Sequence, residues 1–435
     1  MTTSEMVARR PRTRVLLLYS LANRLPNGVG HGPHTRSLHT LFAFGRFTAH
    51  LEAAGSVLPR VLDEWELDGS ALELPPEPPR ADAVTVIVVV SPRGDPTLLL
   101  DLGLPEAADA ETVTELLAAT CFRRGELTLR QRPILEWVAG RIGYAGELEF
   151  GRDLHQLVFP GGRLLDRIRT EQLAVRDGVS PTLAQVIYRG AGLADAGIRR
   201  PAGLNDHVRS VVAHGRGVSV AAAWEPRAAP WNAELENAFA VVAMTQVSAL
   251  GVVQRTRRNA FRALTDNEHA LPTSTAEART LISDLSTELN EMQLDLSFGV
   301  EAYLDSLLIP ESALEHYQTS LRGAIGLTDG LANTSRMLDR LQSVIQARLS
   351  GLEATVQERV EQRSRALSWV VAVGTLIALP PALLLAFFGL NGTEVDETRS
   401  MFDLGRYWPA YLAAWLPFLL LVLVGLVLRR KADRA

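Results

Sequence analysis

A single cysteine, Cys121, in 435 residues rules out an internal disulfide and fits a reducing compartment for most of the chain. Lysine is as scarce: of 44 basic residues only Lys431 is not arginine, a pattern that coding bias explains. A formal charge of −5 supplies no excess of positive charge for nucleic acid, so no nucleic-acid partner is expected. The apolar run at 15–21 is short, contains polar residues and has no cleavage-site pattern after it, so no signal peptide is expected. There is no Walker A loop, dinucleotide fingerprint, HExxH or nucleophile elbow, and the chain is not expected to be an enzyme. His31, His34 and His39 cluster in a glycine-rich stretch without a fourth ligand, which disfavours zinc there.

What the chain does have is apolar residues, 47% of the total, enough for two or three domains with cores of their own. Two runs stand out, 23 uncharged residues at 366–388 and 22 more at 407–428. Each spans roughly 33–35 Å as a helix, enough for a hydrocarbon core of about 30 Å. Arg359, Arg363 and Arg365 precede the first run, and Arg429, Arg430, Lys431 and Arg434 follow the second. Between the runs stand Arg399 and Arg406 against Glu394, Asp396, Glu397 and Asp403. The positive-inside bias therefore predicts a multi-pass protein of the inner or plasma membrane, in contact with lipid, with both termini cytoplasmic and an acidic external loop. Trp408, Tyr411 and Trp415 sit near the outer end of the second run, as interfacial aromatics do.

Before residue 366 the pattern is α+β. The β-branched run 84–90, the turn Ser91-Pro92-Arg93-Gly94-Asp95-Pro96 and residues 97–100 predict a hairpin. Residues 15–19, 126–129, 155–159 and 218–224 are further strand candidates, and the acidic, proline-rich 63–79 reads as a surface loop. From Asn232 onward long helices are expected, with breaks at 271–274 and 309–312. Ser274 with Glu277, and Ser312 with Glu315, have the spacing of capping boxes. Leu338, Leu341, Ile345, Leu349, Leu352, Val356, Val360, Leu367 and Val371 then recur at spacings of three, four and four, slipping only at Arg363. That eleven-residue period favours a nearly straight or slightly right-handed helix assembly, continuous with the first apolar run. The expected organisation is a cytoplasmic α/β domain (1–230), a helical stalk (231–365), transmembrane helix 1 (366–388), an external loop (389–406), transmembrane helix 2 (407–428) and a basic tail (429–435).

The first run ends in Phe388-Gly389-Leu390-Asn391, with Glu397 six residues on and Pro380 eleven residues before the asparagine. With this layout the chain resembles the CorA-type divalent-cation transporters, in which Gly-Met-Asn ends the first membrane helix. Leu390 replaces the methionine, and Val395-Asp396 replaces a Met-Pro. The resemblance covers about the last seventy residues. It implies a homopentameric funnel with the first membrane helix lining the pore, Gly389, Leu390 and Asn391 as the ion-selectivity motif, and a transported or regulatory divalent cation rather than a cofactor. Magnesium is the first expectation, zinc as in ZntB-type members the second, and a non-conducting sensor or scaffold the third. Which residues would ligate a metal is left open.

Helical spacing back from Asn391 puts Ala386, Ala382, Leu379, Thr375, Val371 and Ser368 on one face, small and mildly polar. Magnesium dehydrates reluctantly, so a ring of neutral Asn391 oxygens suits a hydrated ion better than a carboxylate cage. The loop carries −2 per chain, or −10 around a five-fold mouth, which would concentrate cations there.

Overall fold

A computed structural model describes residues 12–26, 35–54, 58–73, 81–175, 178–190, 210–223, 233–269, 274–304, 307–389, 398 and 400–432. The chain divides into two units, Met1–Ile345 and Gln346–Ala435.

The first unit is built on a seven-stranded sheet. In chain order the strands are β1 (Arg14–Leu21), β2 (Arg60–Asp68), β3 (Leu72–Glu73), β4 (Ala83–Val90), β5 (Pro96–Gly103), β6 (Thr128–Leu129), β7 (Arg132–Pro133), β8 (Phe150–Phe159), β9 (Ser210–His214) and β10 (Val218–Ala223). The large sheet runs β2-β4-β5-β1-β8-β10-β9, and β3, β6 and β7 form a small separate one. All pairings in the large sheet are antiparallel except β8 with β10. The predicted hairpin is β4–β5: Val90 faces Pro96, and Gly94 turns the chain at φ +84°. Ser91 and Asp95 close the turn through backbone and side-chain hydrogen bonds of 2.8–3.0 Å.

Helices cover both faces. The helices described in the whole chain are α1 (Thr48–Ala53), α2 (Ala110–Phe122), α3 (Ile134–Ile142), α4 (Gly162–Ala174), α5 (Pro181–Tyr188), α6 (Ala233–His269), α7 (Thr275–Leu296), α8 (Ala302–Leu304), α9 (Ser312–Ile325), α10 (Leu327–Gly389) and α11 (Leu404–Ala432). Alternate residues of β1 enter opposite cores. Val15, Leu17 and Tyr19 join α2, α3, α4 and α5, while Leu16 and Leu18 join α6, α7 and α9. With both faces buried, β1 and β4 read as unbroken apolar runs rather than as alternation. Gly251 lets α6 lie close on β1, since a Cβ there would stand 3.2 Å from Ser20 Cβ.

The acidic stretch expected as a loop is a strand over its first part. Residues 60–68 form β2, whose carboxylates Asp63, Glu64 and Glu66 line the edge of the sheet, and residues 74–79 lie outside the described residues. Charge on an edge strand discourages pairing with a second chain, and that is why an acidic composition and a strand coexist here. The candidate at 126–129 is a strand only at Thr128–Leu129, after a 3-10 turn. Ser274 and Glu277 form the expected capping box, but Ser312 does not. Glu311 is extended, takes the N-cap position and receives Glu315 N–H on its carbonyl at 2.8 Å, so Ser312 is already the first helical residue.

Charged groups tie α6 and α7 to the β4–β5 turn. Asp295, 6% exposed at the side chain, accepts from Arg93 Nε and Arg255 Nη2 at 2.7 Å each, and Arg255 also pairs with Asp95. Burial pulls the Arg255 guanidinium below its ordinary value while Asp295 pulls it back up.

His155 is fully buried on β8, with Nε2 2.7 Å from Ser219 Oγ, which also accepts from the Tyr317 hydroxyl at 3.0 Å. Burial, assisted by His214 and Arg189, pushes this imidazole down to about 3. Below the ordinary histidine value of about 6.5 the unfolded chain takes up a proton that the folded chain refuses, so stability falls as pH drops from about 6.5 towards 3. His155→Gln removes that uptake. The stability gap between wild type and variant, followed by denaturant unfolding, is expected to narrow by up to about 1.4 kcal/mol per pH unit across this window. A gap that stays constant with pH contradicts a neutral buried His155.

Candidate functional site

Among the described residues two helices are long and apolar enough to cross a membrane, Ala233–Asn267 of α6 and Leu327–Gly389 of α10. Their surroundings differ. The apolar window of α6 is 89% buried, consumed by the core against β1 and β8, whereas that of α10 is 11% buried. α10 is 63 residues long, with no break between the apolar stripe and the first hydrophobic run. Leu338, Leu341 and Ile345 of the stripe are buried in the first unit, and further along Leu349 and Val360 are 43% and 53% exposed.

In the second unit α10 carries two distinct faces. Val373, Leu376, Pro380, Leu384 and Phe387 are covered or half-covered, at spacings of three, four, four and three. Phe388 extends this side: its ring meets Tyr407 edge-on at 5.0 Å and Tyr411 at 6.4 Å, both on α11. Tyr407 and Ala414 of α11 are buried in turn, and the Tyr411 hydroxyl donates to the Met401 carbonyl at 3.1 Å. Ser368, Val371, Thr375, Leu379, Ala382 and Ala386 all lie on the exposed side, roughly opposite at 100° per residue. The predicted pore-lining set is thus exposed throughout, as are Val370, Ile377, Leu383 and Leu385 around the same helix, and α11 meets α10 at Phe388.

Two local features qualify that face. The Thr375 hydroxyl donates to the Val371 carbonyl at 2.9 Å, which satisfies it within its own helix. Pro380 and Pro381 lie inside α10 and supply no N–H to the carbonyls one turn earlier, Leu376 and Ile377, leaving two acceptors in mid-span. Arg365, at the start of the apolar run, reaches Glu361 one turn back at 3.4 Å.

Of the expected selectivity motif, Gly389 is the last residue of α10, and Leu390 and Asn391 lie outside the described residues, as do Glu394, Asp396 and Glu397. Asp403 is described. It immediately precedes α11, its carbonyl accepts from Arg406 and Tyr407 N–H at 3.2 and 3.1 Å, and its charge suits a helix N-terminus. His31 and His34 are also outside the described residues, while His39 Nδ1 lies 2.8 Å from Ser37 Oγ. Among the described residues no group of three or more His, Cys, Asp or Glu side chains is placed to hold a metal ion.

No family model matches the chain, and no curated protein matches it. Among solved structures it is similar to that of the full-length CmaX protein, at 13% identity and a TM-score of 0.21, covering 62% of this chain and 88% of the other. A likeness of that degree carries no weight for fold or function.

Proposed function

We propose that this protein is the subunit of a divalent-cation channel or transporter, with magnesium the first candidate and zinc the second, assembled as a homopentamer in a membrane with both termini cytoplasmic. The observation that carries this reading is the exposed face of α10 from Ser368 to Ala386, with α11 meeting α10 at Phe388. Two membrane helices cannot enclose an ion path, so conduction requires several copies, and the exposed face from Ser368 to Ala386 would surround a shared axis. It contains no charge, as suits passage of a hydrated ion. Leu379 and Val371, 40% and 60% exposed, would narrow the path as apolar rings that gate by dewetting. The resemblance of the C-terminal residues to CorA-type transporters supports the same assignment, with Asn391 oxygens at the outer mouth and the acidic loop gathering cations.

The test is growth. A bacterial strain without magnesium uptake systems of its own, expressing this chain, is expected to grow at low external magnesium; failure to rescue at verified membrane expression counts against magnesium. A second reading, a membrane-anchored sensor that no longer conducts, is favoured by Leu390 in the selectivity motif and by the back-bonded Thr375 hydroxyl. Zinc or magnesium flux that depends on Asn391 excludes it.

A further inference from the structure

Within the first unit a cavity of about 490 Å³ opens beside β8 and β10. Four arginines from four separate segments converge on it: Arg124 from the turn after α2, Arg152 from β8, Arg189 from the end of α5 and Arg216 from the β9–β10 turn. Asp153 is the single acid among the described lining residues, leaving the wall at a net charge of +3. Among the described residues, the side chains of Arg152 and Arg216 make no hydrogen bond or ion pair.

Arg189 is built into the wall. It sits in the left-handed region at φ 57°, uncommon for a residue with a side chain, with its guanidinium fixed by Gln156 Oε1 and by the Gly217 carbonyl at 2.9 Å. His155, 0% exposed, lies behind the same wall, its ring against the Arg216 backbone. Oδ2 of Asp153 is buried without a partner. At the rim stands Phe122, an apolar ring 76% exposed.

We infer that this cavity binds a nucleotide, with its phosphates on Arg124, Arg152, Arg189 and Arg216, a sugar hydroxyl on Asp153 and its base against Phe122. Guanidiniums bind phosphate through paired, charge-assisted hydrogen bonds, and a fixed Arg189 enters them with little ordering cost. A sugar hydroxyl donating to Asp153 satisfies the orphaned acceptor, which a purely apolar ligand does not. The volume is in the range of small-molecule sites, about 300–1,000 Å³.

The experiment uses the full chain in detergent micelles, with ATP and with sodium pyrophosphate as probes, in EDTA so that no metal intervenes. Calorimetry measures binding, and Cys121, the sole cysteine and itself in the cavity wall, reports occupancy through its rate of alkylation by a maleimide. ATP is expected to bind and to slow alkylation severalfold, with pyrophosphate weaker. Arg152→Ala with Arg216→Ala is expected to weaken ATP binding by about tenfold or more, whereas Arg169→Ala, exposed on α4, leaves it unchanged. Both substituted side chains are exposed and unpaired, so the double variant keeps the thermal transition of the wild type. Absence of binding by either probe at millimolar concentration, or equal ATP affinity in the double variant, overturns the inference. Pyrophosphate binding as tightly as ATP overturns the nucleotide assignment in favour of a bare phosphate site.

Discussion

Asn391→Ala is expected to abolish growth rescue at low magnesium and to lower divalent flux by about 10²-fold or more, with membrane expression and oligomeric state unchanged. In the proposed pore each subunit contributes one neutral side-chain oxygen at the outer mouth, so a single substitution removes five at once. A hydrogen bond of this kind contributes about 0.5–1.5 kcal/mol net, and five acting on one hydrated ion account for a loss of that size. Asn391→Asp separates charge from geometry: five carboxylates would hold a divalent ion tightly and slow its exit, so block at low ion concentration is expected rather than simple loss. Flux unaffected by Asn391→Ala removes the selectivity role from the Gly389-Leu390-Asn391 motif.

The largest expected loss of stability lies in the charged network of the first unit. Asp295→Ala leaves Arg255, 10% exposed at its side chain, and Arg93 without the carboxylate that both contact at 2.7 Å. Breaking a buried pair from one side typically costs about 3–5 kcal/mol, because the remaining charge is stranded in a poor solvent. Asp95 still faces Arg255 and Glu291 still reaches Arg93, so the lower end of that range is expected. Replacing Asp295 and Arg255 together by Leu and Met should recover part of the loss, since their own desolvation penalty goes with the charges while Asp95, 7% exposed, keeps only its Ser91 hydrogen bonds. Chemical denaturation of the two variants checks both statements; a double variant less stable than Asp295→Ala would show that the pair itself, and not the stranded charge, sets the energy.

Elements with strong local signals were readable from sequence. The apolar runs of β1 and β4, the Ser91–Pro96 turn and the Ser274–Glu277 cap each depend on a few neighbouring residues, and each is found in the structure. The stripe from Leu338 onward likewise announces the long helix α10. β2 was hidden because an edge strand carries charge for a tertiary reason that composition does not reveal. The parallel pairing of β8 with β10 depends on long-range contacts and leaves no local mark. The arginine-lined cavity is the extreme case: Arg124, Arg152, Arg189 and Arg216 are spread over 93 positions in a chain whose cations are nearly all arginine, so nothing in the sequence distinguishes them. For the proposed pore face, sequence spacing named the six residues, and the structure adds that they are exposed and that α11 meets α10 at Phe388.

The proposal that this chain conducts divalent cations is tested most directly by flux into liposomes that contain only the purified full-length protein and a magnesium- or zinc-sensitive dye. The expected result is protein-dependent entry of at least one of these ions, falling steeply with added salt as the acidic mouth is screened, and lost in Asn391→Ala. No entry of either ion, from protein shown to be inserted and folded, would contradict it.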